Sequence, residues 1–222
     1  MGLDYSLVLG CLDEIDAQLL AVGKEKCNSL RDKTQLSAVV TLLFRAASLL
    51  RSLLGLLERG DLDSYDIVKR SFLEAWLLAF ELRLLDSQAK AARWHQEEAR
   101  SWSPDISKLE SYARSQGFNT PGVGRDYGGL SEVAHPTKKA AWSSIRVTTA
   151  RHQACHDVAG AKVKYEQDEI PALLHSLVWM LDEREGWVAL GADTKLLPNA
   201  IMYAREYAGR LENLRLERGA EG

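Results

Sequence analysis

The chain has 222 residues, 46% hydrophobic and 27% charged, with a formal net charge of −3. That is enough apolar material for one sizeable core without disulfides or a metal, and the mild acidity argues against a general nucleic-acid binder of the strongly basic kind. Cys11, Cys27 and Cys155 are odd in number and far apart, with no CxxC pair and no zinc-finger spacing, which fits a reducing compartment.

The N-terminus, "MGLDYSLVLGCLDEID", has no basic start and meets acids at Asp4, Asp13 and Glu14, so it does not read as a signal peptide. Apolar residues at Leu3, Leu7, Val8, Cys11, Leu12, Ile15, Leu19 and Leu20 predict an amphipathic helix that Gly23 ends. Residues 34–58 predict a longer helix, apolar over most of its circumference, with a polar stripe at Thr41, Arg45, Ser48 and Ser52. Its longest uncharged run, "TQLSAVVTLLF", is too short for a bilayer, which needs about 20 apolar residues. The expectation is a cytoplasmic, soluble protein with no membrane partner.

"RGDLDS" breaks the pattern, with Asp63 or Ser64 placed to cap a helix over 64–86. That helix is again largely apolar, and its exceptions are informative: Arg70, Glu74 and Glu81 fall within about 40° of each other and form one narrow polar stripe. A charged helix follows over 87–102, then a well-punctuated one over 103–117 and a short one from 125 that Pro136 stops. The β-branched residues of "IRVTT" and "KVKY" predict a hairpin or ordered loop within 143–166. Helix resumes over 168–191 and 198–219. The expected architecture is all-α, a single domain over 1–222: a bundle of six to eight helices with one irregular or hairpin insertion around 143–166.

Several constellations could carry chemistry. In "YGGLSEVAHPT" (127–137), Tyr127, Ser131 and His135 share one drifting helix edge, and Glu132 precedes His135 by three. One Glu-x-x-His is half of a di-iron carboxylate set; a second is missing, although Glu74 and Glu81 could serve as extra carboxylates. From Val133 to His156 there is no acid, while Lys138, Lys139, Arg146 and Arg151 supply positive charge. This is either a solvated face or a local anion site in which Trp142 could stack on a base. The other tryptophans read as core. His152 and His156 stand at zinc-ligand spacing without an obvious third ligand. No P-loop, GxGxxG or GxSxG is present, and no metal or cofactor is expected.

Two resemblances follow from these motifs. Arg151 and His156 fit the Arg-x4-His spacing of the HEPN ribonucleases, a helical superfamily of toxins and phage-defence nucleases. Over roughly residues 35–190, "RSFLE" with the downstream "YGGLSEVAHPT" resembles a bacterial all-helical family of unknown function. That family carries an Arg-x-x-x-Glu helix and a Tyr-x-x-Leu-Ser-x-x-x-His element. The resemblance maps Arg70 and Glu74 onto the first motif, and Tyr127, Leu130, Ser131 and His135 onto the second.

Physically, Arg70 and Glu74 need partners if their helix is buried, and the Tyr127–His135 edge could supply them. In one expectation His135 is a general acid or base oriented by Glu74, and Arg70 holds a phosphate of RNA or another phosphate-bearing ligand. In the other, the chain is a non-catalytic interaction protein, a homodimer, and the same residues only fix helix register.

Overall fold

The computed structural model describes residues 4–26, 34–84, 88–96, 111, 165–182, 184–195, 198–203 and 205–207. They form an all-α bundle, with no strand among the described residues: α1 (Tyr5–Lys26), α2 (Gln35–Arg59), α3 (Leu62–Leu84), α4 (Gln88–His95), a π-helical turn (Tyr165–Glu169), α5 (Ile170–Asp182), α6 (Arg184–Ala189) and a terminal helical stretch over 198–203 and 205–207.

α2 is the central helix because almost all of its faces are apolar. Leu43, Leu50, Leu53 and Leu57 are sealed from solvent, each burial contributing roughly 1.5–3 kcal/mol. It packs most extensively on α3, and also on α1, α4 and α5. The expected polar stripe is its outer edge: Arg45, Ser48 and Ser52 are exposed and Thr41 half-buried. By length and composition α2 is apolar enough to cross a membrane, yet all of its leucines except the partly buried Leu49 are buried, as in a core helix.

Both ends of α2 are closed locally. Thr34 accepts from the Ser37 amide at 3.1 Å while Ser37 Oγ accepts from the Thr34 amide at 3.3 Å, a reciprocal capping box. At the other end Gly60 takes φ +70°, a conformation that favours glycine. Its amide donates to Leu57 O at 3.0 Å, and the Asp61 amide donates to Leu56 O at 2.9 Å. Asp61 then caps α3, accepting from the Ser64 amide at 3.2 Å. Two residues therefore end one helix and begin its antiparallel neighbour. The cap is Asp61, not Asp63 or Ser64, because the tight turn places Asp61 where the first amides of α3 point.

One further expectation is corrected. Gly23 does not end α1, which runs to Lys26. Glycine inside a helix costs about 1 kcal/mol, and burial of Val22 and Gly23 outweighs it. The helical content expected over 168–191 is present: it begins slightly earlier, in the π-turn at Tyr165, continues in α5 and α6, and closes at Gly191, whose φ is +74°. Of the expected insertion around 143–166, only Tyr165 and Glu166 are described, and both lie in the π-turn. The rest of it, the helix at 103–117 apart from helical Ser111, and the short helix from 125 lie outside the described residues.

Candidate functional site

The expected polar stripe on α3 divides in two. Arg70 Nε donates to Glu74 Oε1 at 3.1 Å, with 17% of the arginine side chain and 36% of the glutamate side chain open to solvent. Their spacing of one turn places both groups on one face of the helix. Glu81, by contrast, is buried and paired with Lys90 of α4. That pair ties α3 to α4, so Glu81 links two helices rather than extending the Arg70–Glu74 face. Among the described residues no group of three or more His, Cys, Asp or Glu side chains is placed to hold a metal ion.

The remaining charges of α3 also reach other elements. Lys69 Nζ donates to Glu169 Oε2 of the π-turn at 2.7 Å. Arg83, almost fully buried, donates from Nη1 to Met180 O at 2.8 Å, and its guanidinium lies 5.5 Å from the centre of the Trp179 ring. Met180 O belongs to the last turn of α5, where carbonyls have no partner within the helix and the dipole favours a cation. Trp187 Nε1 donates to the same oxygen at 2.9 Å, and Thr194 Oγ1 donates to Leu181 O at 2.6 Å.

α1 does the converse for the terminal helical stretch. The Glu14 carboxylate accepts from the amides of Asn199 and Ala200 at 3.1 and 3.0 Å. These are first-turn donors behind Pro198, a residue suited to the first helical position. Gly10, one turn before Glu14, lies close to the same residue: a Cβ there would stand 3.3 Å from the side-chain Nδ2 of Asn199.

Farther along, Tyr203 Oη donates to Pro171 O at 2.6 Å, and Tyr207 stacks on His175 with ring centres 4.6 Å apart. Burial pushes the His175 imidazole below its usual range and keeps it neutral. Burial also raises the Tyr207 phenol, with the Asp168 charge adding to it. Tyr5 Oη donates to Glu166 Oε1 at 2.6 Å; its own burial, then that bond and the charges of Glu166 and Glu58, hold the phenol protonated. A recess lined by Asp4, Leu7, Val8, Pro171, Tyr203, Glu206 and Tyr207 has about 30 Å³ of free space, the scale of a water molecule. Cys11 is sealed in the core, with burial and then nearby Glu14 pushing its thiol up to about 12. It is a packing residue and not a nucleophile.

Of the residues singled out in the sequence, Arg70 and Glu74 are therefore brought together and Glu81 is not part of their pair. Tyr127, Ser131, Glu132, His135, Lys138, Lys139, Trp142, Arg146, Arg151, His152 and His156 lie outside the described residues. Sequence reasoning missed Lys69, Arg83 and Glu14. The available signal was a charge flanked by apolar residues, as in "FELRLL", but nothing nearby named the partner. Comparison with protein-family models, curated proteins and solved structures finds no match.

Proposed function

We propose that this is a cytoplasmic helical protein, of bacterial type, whose Arg70–Glu74 pair forms the fixed half of a phosphate-directed site. The observation that carries the reading is the guanidinium and carboxylate held 3.1 Å apart on a partly open face of α3. A guanidinium in that setting takes a phosphate through charge-assisted bonds. The adjacent carboxylate can hold the tautomer and orientation of an imidazole. His135 is assigned as that imidazole and as general acid or base, with Tyr127 and Ser131 as further polar groups of the same motif. Lys138, Lys139, Arg146 and Arg151 extend the positive surface along an RNA backbone. The activity is metal-independent RNA or phosphate chemistry of a defence or toxin kind, in keeping with the HEPN-like spacing of Arg151 and His156 and the resemblance of "RSFLE" and "YGGLSEVAHPT" to a bacterial helical family.

Expression of the native chain, His135→Ala and Arg70→Ala, followed by growth and RNA integrity, tests this. The native chain is expected to slow growth and fragment RNA. Both variants are expected to lose these effects with an unfolding midpoint close to native. Intact RNA with the native chain would sink the reading.

A second reading is favoured by the behaviour of Lys69, Glu81 and Arg83, each of which is bound to a neighbouring element. On it the chain is a non-catalytic homodimeric interaction protein, and Arg70 and Glu74 hold register in the same way. Sedimentation would then give a dimer, and Arg70→Ala would lower the unfolding midpoint instead of an activity.

A further inference from the structure

We draw no further inference here: the strongest candidate, the recess between the start of α1, Pro171 of α5 and Tyr203 and Tyr207 of the terminal helical stretch, sets only the exposed carboxylates of Asp4 and Glu206 beside a space the size of one water molecule, and no other group among the described residues points to a ligand there.

Discussion

α2 and α5 terminate in opposite ways. Each end of α2 is satisfied by residues adjacent in the chain: Thr34 and Ser37 at the start, Gly60 and Asp61 at the finish. The C-terminal carbonyls of α5 are satisfied by Arg83, Trp187 and Thr194, the first of them 97 residues away. The terminal helical stretch follows the α5 pattern, its first amides bound by Glu14 from 185 residues earlier. A locally capped helix can form its ends as soon as it forms. A helix capped from a distance has satisfied ends only once the bundle has assembled, so its end contacts report on tertiary structure.

Removing a distant cap that is also buried tests this contrast most severely. Arg83→Ala takes away the cation at Met180 O, the contact with Trp179 and the volume of a long buried side chain. A loss of about 3 kcal/mol is expected from urea unfolding. Arg83→Met keeps most of the stem and its packing, and about half of that loss is expected. A methionine variant as stable as the native chain would show that the charge at the end of α5 contributes nothing, and that packing alone keeps Arg83 buried.

The two kinds of cap can also be set against each other at similar cost. Thr34→Ala and Glu14→Ala should each lower stability by about 1 kcal/mol. The distribution of the loss should differ. Thr34 starts the central helix, so its removal should raise exchange across α1, α2 and α3 together. Glu14 holds one helix end, so its removal should raise exchange first at 199–203. Equal patterns from the two variants would erase the distinction.

The same contrast explains how much could be read in advance. α2 was legible to within a residue because its caps and its apolar surface are both local signals. That Arg70 and Glu74 share one face was legible for the same reason, being one turn of one helix, whereas their bond to each other was not foreseen. Glu81 shared their stripe in sequence but pairs with Lys90, a choice made by how α4 folds back on α3. Gly23 reads as a stop, yet it is buried and α1 runs through it to Lys26. The π-turn was not visible at all. "KVKY" ends in Tyr165 and suggests a strand by composition, whereas the winding there depends on Pro171 six residues on and on carboxylate partners in α1 and α3.

The contact between α5 and the terminal stretch should also respond to pH, with the smallest effect of the set. His175 is neutral in the folded protein because burial lowers its affinity for a proton below the ordinary value of 6.5. Its ring stacks on Tyr207, which itself stacks on Tyr203 with centres 6.2 Å apart. Well above pH 6.5 the imidazole is neutral whether the chain is folded or not, and it adds no pH dependence. As pH falls below that value the unfolded chain takes up the proton first. Stability therefore declines until the folded-state value is passed, since the state that binds more protons is favoured by acid. His175→Phe keeps a ring against Tyr207 and removes the proton. Urea midpoints measured between pH 7.5 and about pH 5 should fall less steeply for the variant than for the native chain. Parallel slopes would mean that the imidazole gains its proton in place, and that the stack on Tyr207 is open enough to admit it.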